Sequence, residues 1–235
     1  MLITALFLVA CGRAPDWFGA PPPVSNIGCP TDAPEAALGL EWTVQVHLAQ
    51  GIRVDSALRH TQWAADWWSP RGVSLTAARP WRRVADAPVL ADGPDEAAVF
   101  APLGAAVGAL DSEASAIHVV FLTQLAAEDS PAAHWFEHLT GLTVSPSLLA
   151  QSPPEDPTRL ALAAAGVDGG FRPTIFVGLE ALDALPEERA RFVLAHELGH
   201  AAGLPHTSER GNLMGPGFPR CRPTLDDAQR TALGH

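Results

Sequence analysis

The sequence predicts an α+β fold, because segments with strand periodicity alternate along the chain with segments of helical periodicity. Residues 41–48 alternate apolar and polar side chains, as expected of a strand that is buried on one face. In residues 54–68 apolar side chains recur at helical spacing, and Pro70 ends that pattern. The continuous apolar run 116–122 is typical of a central strand. With 235 residues the chain is long enough for one domain with a buried core.

Shorter patterns predict the remaining elements. A strand follows the first helix and leads into a loop rich in Arg, Ala, Pro and Asp. A further helix is predicted although Pro102 and Gly104 lie within it. The tryptophans of the first helix, together with Leu58, are expected to face the core. The further predicted strands are 73–76, 142–145 and 174–177, and the further predicted helices are 96–110 and 186–202.

The composition is that of a globular protein with an acidic surface. Hydrophobic residues make up 47% of the chain and charged residues 17%. The formal net charge is −11, from 26 acidic and 15 basic residues. Because such a surface repels nucleic acid and anionic membranes, neither is expected as a direct partner.

The strongest functional signal is the segment HELGHAAGLPHTSERGNLM, which begins at His196. It contains the spacing H-E-x-x-H-x-x-G-x-x-H. His196 and His200 are i and i+4, so on a helix both imidazoles leave the same face and can bind one metal ion. Gly203 can adopt a positive φ and end the helix, after which the chain returns His206 as a third ligand.

These residues predict a catalytic site for one Zn²⁺ ion. Three protein ligands leave the fourth tetrahedral position open for water, whereas structural zinc sites use four protein ligands. Glu197, beside the first ligand, can reach that water as a general base without binding the metal itself. The alternative without function is a surface helix with solvated histidines, and the length of the motif disfavours it.

The motif and the residues after it resemble the metzincins, and among them most the matrixin-type enzymes. Met214 within GNLMGPG matches the methionine that this clan places in a turn under the zinc site. Residues 223–229 are similar to the start of the clan's C-terminal helix, where Thr224 and Asp227 form a candidate N-terminal capping pair. Thr207 follows the third histidine, where matrixins usually have Ser, and the chain contains no Tyr.

This resemblance implies a fold, an activity and a mode of substrate binding. The fold is a metzincin-like twisted mixed sheet of about five strands with a long first helix, an active-site helix, a Met-turn and a C-terminal helix. The activity is zinc-dependent endopeptidase activity on protein or peptide substrates. An extended substrate is expected to pair with an edge strand above the zinc helix, and the segment 213–218 to wall the pocket beyond the zinc. The motifs support this from Phe192 onward, and only the order of elements supports it upstream.

Two other functions remain open at this stage. One is a zinc-binding envelope lipoprotein without catalysis, against which the intact Glu197 argues. The other is a zinc amidase that acts on cell-wall peptides, because no residue of the motif identifies the substrate.

The N-terminal residues predict export. The apolar run 2–10 is too short to span a bilayer. It ends in LVAC, which resembles the lipobox of bacterial lipoproteins and makes Cys11 the residue to be acylated. We therefore expect a lipoprotein-type signal in residues 1–11, a Pro-rich tether in 12–35 and the peptidase domain in 36–235. An ordinary cleaved signal, which gives a secreted protein, and a buried N-terminus are the alternatives, and membrane contact is expected only through the lipid at Cys11.

The remaining cysteines and histidines allow further interpretations. In an exported protein Cys29 and Cys221 are expected to form a disulfide. The alternatives are free thiols or a Cys29 thiolate that caps the zinc, as in matrixin propeptides. His134 and His138 share one helix face if their segment is helical, which allows a second metal site, although a packed or solvated face is favoured. His118 is expected to be an ordinary core or surface residue.

Overall fold

Strands and helices alternate through the computed structural model of this chain. It describes residues 9–11, 37–93, 95–110, 116–126, 140–167, 170–209, 211–215 and 223–234. The strands are β1 (Val9–Cys11), β2 (Leu40–Ala49), β3 (Val73–Val84), β4 (Ile117–Leu122), β5 (Gly141–Val144) and β6 (Thr174–Gly178). The helices are α1 (Val54–Trp68), α2 (Glu96–Ala109), α3 (Pro146–Leu149), α4 (Pro157–Ala164), α5 (Leu179–Asp183), α6 (Glu187–Ala201) and α7 (Asp227–Leu233).

The strands of the described residues form one mixed sheet in the order β1-β5-β6-β4-β2-β3. Strands β3, β2, β4 and β6 are parallel to one another. Strand β5 is antiparallel to β6, and the three-residue β1 is antiparallel to β5. The α+β class and the mixed sheet are thus confirmed, with five strands between residues 40 and 178 and the short β1 beyond them.

The strand register defines two faces of the sheet. Side chains directly opposite each other on neighbouring strands share a face. Gly141 and Thr143 of β5 both lie against Glu197 of α6, so their face is the one that carries α6. The buried residues that follow them across the sheet in register are Val177, Ile175, Phe121, Val119, Leu48, Val46 and Val44. His47 and His118 lie on the opposite face and are also buried.

Helix α1 has the predicted bounds and packs against α6. Trp68 is fully buried and its indole Nε1 donates a hydrogen bond to the carbonyl of Ala195, at 3.1 Å. The prediction that Leu58 faces the core is wrong, since that side chain is 45% exposed. The buried face of α1 is a stripe of residues next to Leu58, and Trp63 at the edge of this stripe is only partly buried. The stripe consists of Ser56, Ala57, His60, Thr61, Ala64, Trp67 and Trp68.

Strand β3 is longer than the sequence predicted. The expected strand 73–76 continues to Val84, so the segment predicted as an Arg- and Pro-rich loop is strand as far as that residue. Among the described strands it is the outermost on its side of the sheet. An edge strand tolerates Pro80 and exposed arginines because one of its edges need not form ladder hydrogen bonds. The register shifts between Gln45 and His47, and Gln45 Nε2 donates to the Pro80 carbonyl at 3.1 Å.

Helix α2 forms despite its internal proline and glycine. Asp95 caps it by accepting a hydrogen bond from the backbone N–H of Ala98, at 2.9 Å. Gly104 faces α4, where a Cβ would lie 2.7 Å from the carbonyl carbon of Ala161. The glycine that weakens the helical pattern therefore permits the close approach of α2 and α4.

The C-terminal helix is present, but its predicted cap is wrong. The N-cap of α7 is Asp226, which forms a capping box with Gln229. Thr224 instead pairs through its backbone with the turn that precedes it, donating to the Gly211 carbonyl and accepting from Leu213 N–H. The tertiary pairing of Thr224 thus moves the start of the helix by two residues. Among the residues that the structure describes, no helix is long and apolar enough to cross a membrane.

Candidate metal centre

Helix α6 brings two of the predicted ligands into the interior. Its first turn carries Glu187 and Glu188, whose negative charges are favourable at a helix N-terminus. The half of the helix from Val193 to Ala201 is buried against the sheet and α1. Gly203 follows the helix with the predicted positive φ, +93°, and its N–H donates to the His200 carbonyl at 2.9 Å. This turn reverses the chain towards His206.

The three histidines of the motif meet at their Nε2 atoms. His200 Nε2 lies 2.9 Å from His196 Nε2 and 3.2 Å from His206 Nε2. His196 and His200 are buried, whereas the His206 residue is exposed. Among the described residues this is the one group of three or more potential ligand side chains within metal-binding distance of one another.

The hydrogen bonds at the other ring nitrogen determine the tautomers of the two buried imidazoles. His196 Nδ1 lies 2.5 Å from the Leu213 carbonyl, and His200 Nδ1 lies 2.6 Å from the Leu204 carbonyl. Since a carbonyl oxygen can only accept, each Nδ1 carries the hydrogen and donates it. Each Nε2 therefore presents a lone pair to the centre of the cluster.

Burial keeps these imidazoles neutral. Desolvation, with a smaller contribution from His206, lowers the pKa of His196 to about 3. Desolvation and the two neighbouring histidines lower the pKa of His200 well below its usual value, and desolvation also lowers the pKa of His206. At neutral pH the three rings are thus unprotonated, which is the form that binds metal ions.

The donor set fits one zinc ion. Zn–N bonds of about 2.0–2.1 Å at tetrahedral angles place ligand nitrogens roughly 3.3 Å apart, close to the observed separations. Neutral imidazoles that point lone pairs at one another at this distance repel unless a cation lies between them. Among the described residues the group offers three nitrogen ligands, and a site with three protein ligands and a fourth position for water is of the catalytic rather than the structural kind.

Glu197 lies at the contact of α6 with β5. Its side chain is fully buried, and Thr143 Oγ1 donates a hydrogen bond to its Oε2 at 2.5 Å. Gly141 packs directly on the same carboxylate, since a Cβ at residue 141 would lie 2.7 Å from Glu197 Cδ. The sequence predicted the strand but not these two contacts, because nothing local indicates which face of β5 meets the helix.

Met214, predicted to lie in a turn under the zinc site, packs against Gly199 of α6. Its side chain is fully buried, and a Cβ at Gly199 would lie 2.6 Å from the Met214 Sδ. Its carbonyl accepts from the N–H of Thr207, at 3.0 Å, which connects the turn to the residue after the third histidine. The turn thus supports both the helix and the segment that presents His206.

Several predicted sites lie outside the described residues. These are the pair Cys29 and Cys221, the pair His134 and His138, the tether 12–35, and residues 216–218 of the pocket segment 213–218. Cys11 belongs to β1, whose backbone pairs with β5 so that Cys11 is opposite Gly141. His118 is buried, as one of its predicted alternatives requires, and its Nδ1 lies 3.0 Å from His47 Nε2.

Comparison with known proteins gives matches among solved structures alone. Neither a family model nor a curated protein sequence matches this chain. Metalloproteinase-II from Bacteroides fragilis matches with 10% identity and a TM-score of 0.45, over 85% of this chain and 54% of that protein. Archaemetzincin from Methanopyrus kandleri matches with 16% identity and a TM-score of 0.45, over 82% of this chain and 93% of that one. A zinc-dependent peptidase from Methanocorpusculum labreanum matches with 12% identity and a TM-score of 0.44, over 81% and 99%.

The three matched proteins differ in how much of their own length this chain covers. This chain spans 54% of the Bacteroides fragilis protein but nearly the whole of the two archaeal ones. The function is accordingly proposed from the side chains of the site.

Proposed function

We propose that this chain is a zinc-dependent endopeptidase that hydrolyses peptide bonds in proteins or peptides. The observation that carries the proposal is the convergence of three neutral imidazoles beside a buried glutamate, in the order H-E-x-x-H-x-x-G-x-x-H. His196, His200 and His206 would hold the metal through Nε2. A zinc ion at this site supplies a Lewis acid, which acidifies water and polarises a carbonyl group.

Glu197 is the general base of the proposed reaction. It accepts a proton from the attacking water while the water oxygen bonds to the scissile carbonyl carbon. It then delivers a proton to the amine nitrogen as the C–N bond breaks, so that one water is divided between the two products. The hydrogen bond from Thr143 holds the carboxylate in place, because Thr143 itself is fixed in the sheet.

Strand β5 is the proposed docking edge for an extended substrate. Its Gly141 and Thr143 touch Glu197, so a peptide on the outer edge of β5 passes next to the catalytic carboxylate. In this structure Val9–Cys11 pairs antiparallel with that edge, which supports its ability to accept an extended segment. Backbone pairing of this kind gives affinity that depends little on the substrate's side chains.

The test is incubation of the zinc-loaded protein with a diverse peptide library that includes cell-wall peptides, with and without a chelator. We expect chelator-sensitive cleavage within peptide chains. Glu197→Ala should bind one zinc ion and lose cleavage, whereas Glu188→Ala, an exposed acid on the same helix, should keep both. Cleavage that persists in Glu197→Ala and responds to chelator would contradict the role of Glu197.

The other outcomes of this experiment identify the other functions. Zinc binding without any chelator-sensitive cleavage would indicate a zinc-binding protein without catalysis. Products found only among cell-wall peptides would indicate an amidase.

We propose further that the protein is exported and anchored to the bacterial envelope by a lipid on Cys11. The support is the sequence LVAC after a short apolar run. Cys11→Ser should abolish incorporation of labelled fatty acid and release the protein from the membrane fraction. Equal labelling of Cys11→Ser and the unaltered chain would contradict the anchor.

A further inference from the structure

One metal ligand is oriented by a hydrogen bond to a backbone carbonyl. His196 Nδ1 donates to the Leu213 carbonyl, and this bond fixes both the tautomer and the direction of the ring. Leu213 lies in the short segment between Gly211 and Gly215 that also carries Met214. Whatever holds this carbonyl in place therefore controls the position of His196 Nε2.

The side chain of Asn212 connects that segment to the C-terminal helix. It is 2% exposed, and both ends of its amide are used. Oδ1 accepts from Met214 N–H at 2.8 Å, which closes a turn around the Leu213 peptide. Nδ2 donates to Gln229 Oε1 at 2.8 Å, across 17 residues of sequence.

Gln229 is itself held in a fixed position on α7. Its Oε1 accepts from Asp226 N–H at 2.9 Å, and its N–H donates to Asp226 Oδ1 at 2.8 Å. Its side chain cannot rotate to offer the amide nitrogen to a partner without losing the bond from Asp226 N–H. The capping box of α7 thus presents an acceptor to residue 212, and only a donor at that residue can bond to it.

We propose that Asn212 is a positioning residue of the metal centre, acting through the Leu213 carbonyl on His196, with α7 as its support. The inference rests on the proposed metal site. Asparagine suits the role because one side chain must accept from Met214 and donate to Gln229 at once. Aspartate at residue 212 would place a carboxylate against the side-chain oxygen Oε1 of Gln229. Alanine would remove the hydrogen bonds to Met214 N–H and to Gln229 Oε1.

The test is the zinc affinity of the purified full chain, measured by competition with a chromophoric chelator, together with the visible spectrum of the cobalt-loaded protein. Changes in groups that orient metal ligands weaken metal binding on the order of 10–100-fold. We expect that loss in Asn212→Ala, with a changed cobalt spectrum. Asn212→Asp should also bind zinc more weakly than the unaltered chain, and so should Gln229→Ala.

Val107→Ala is the matched control, because Val107 is equally buried but lies in α2. It should lower the melting temperature without changing zinc affinity or the cobalt spectrum. If Asn212→Ala and Gln229→Ala both bind zinc as tightly as Val107→Ala and give the same spectrum, Asn212 has a structural role alone. If Asn212→Ala does not fold, the Gln229→Ala result decides. Failure of the unaltered chain to bind one zinc ion would instead contradict the metal site itself.

Discussion

Thr143 on β5 and Glu197 on α6 are joined by a buried hydrogen bond of 2.5 Å, from the threonine hydroxyl to Glu197 Oε2. The same hydroxyl lies 3.3 Å from the backbone carbonyl of Glu197. The two residues are 54 positions apart in the sequence, and the bond links the strand proposed to bind substrate to the residue proposed to move protons. Because the bond is short and buried, it restrains the position of the Glu197 carboxyl group.

We therefore predict that Thr143→Val lowers kcat about tenfold while zinc content and KM change little. Valine has nearly the shape of threonine but cannot donate, so the carboxylate loses its restraint while the packing of β5 is kept. Steady-state kinetics on a cleaved peptide, with metal analysis of the same sample, measure the effect.

Two variants separate this effect from a general loss of stability. Thr143→Ser keeps the hydroxyl and should retain most activity. Thr61→Val removes a buried hydroxyl that donates to the Ala57 carbonyl in α1, far from Glu197 in the sequence, and it should leave kcat unchanged. Equal kcat in Thr143→Val and the unaltered chain would show that the bond does not serve catalysis.

Gly141→Ala should inactivate the protein without removing the zinc. The added Cβ would lie 2.7 Å from Glu197 Cδ and 2.8 Å from Glu197 Cγ, so the carboxylate must move. A displacement of this size is expected to lower kcat by at least about tenfold. Gly234→Ala is the control, because the atoms nearest to its Cβ lie 3.6 Å away. Full activity in Gly141→Ala would show that Glu197 does not work from its present position.

The metal ligands were predictable because their geometry is local. The i and i+4 spacing of His196 and His200 places both rings on one helix face in any α-helix. The turn at Gly203 also follows from local chemistry, since glycine readily adopts a positive φ. None of these inferences requires knowledge of the tertiary structure.

The contacts around Glu197 could not be predicted, because they depend on strand register. A shift of one residue in the pairing of β5 with β6 would turn Gly141 and Thr143 away from α6. Leu142 and Val144 alternate with Gly141 and Thr143, but all four residues are buried, so the pattern does not show which face meets α6. The wrong cap at α7 has a similar cause, because the Thr224 carbonyl accepts a hydrogen bond from Leu213 N–H and the cap is left to Asp226.

The contact of Gly199 with Met214 predicts a non-additive pair of substitutions. Met214→Ala should cost about 2–5 kcal/mol of stability by opening a buried cavity. Gly199→Ala should cost about 1–3 kcal/mol, since its Cβ would lie 2.6 Å from Met214 Sδ. In the double variant the new methyl group occupies space that the methionine leaves. The loss of stability in the double variant should therefore be at least about 1 kcal/mol smaller than the sum of the two single losses. Urea unfolding of the chelator-treated proteins measures all three, and strict additivity would contradict the packing described.

The buried pair His47 and His118 predicts a loss of stability in acid. Burial, followed by the charges of His118 and Arg82, lowers the pKa of His47 to about 4. In the unfolded chain that imidazole takes up a proton near pH 6.5, whereas in the folded chain it stays neutral until about pH 4. Protons therefore bind preferentially to the unfolded state between these values, and stability falls as the pH is lowered through this range.

Replacement of His47 by glutamine should make stability less sensitive to pH, because the amide does not titrate. The free energy of unfolding of the chelator-treated chain should fall by about 2–3 kcal/mol more than that of His47→Gln between pH 7 and pH 4.5. Above pH 6.5 the two curves should run parallel.

His60→Gln is the comparison variant. Burial lowers the pKa of His60 as well, but the hydrogen bond and charge of Asp183 oppose the shift. The substitution of His60 should therefore change the pH dependence of stability less than that of His47. Identical slopes for the unaltered chain and His47→Gln would show that His47 takes up its proton at the same pH in the folded and unfolded chains, and hence that the sheet interior around it admits a charge.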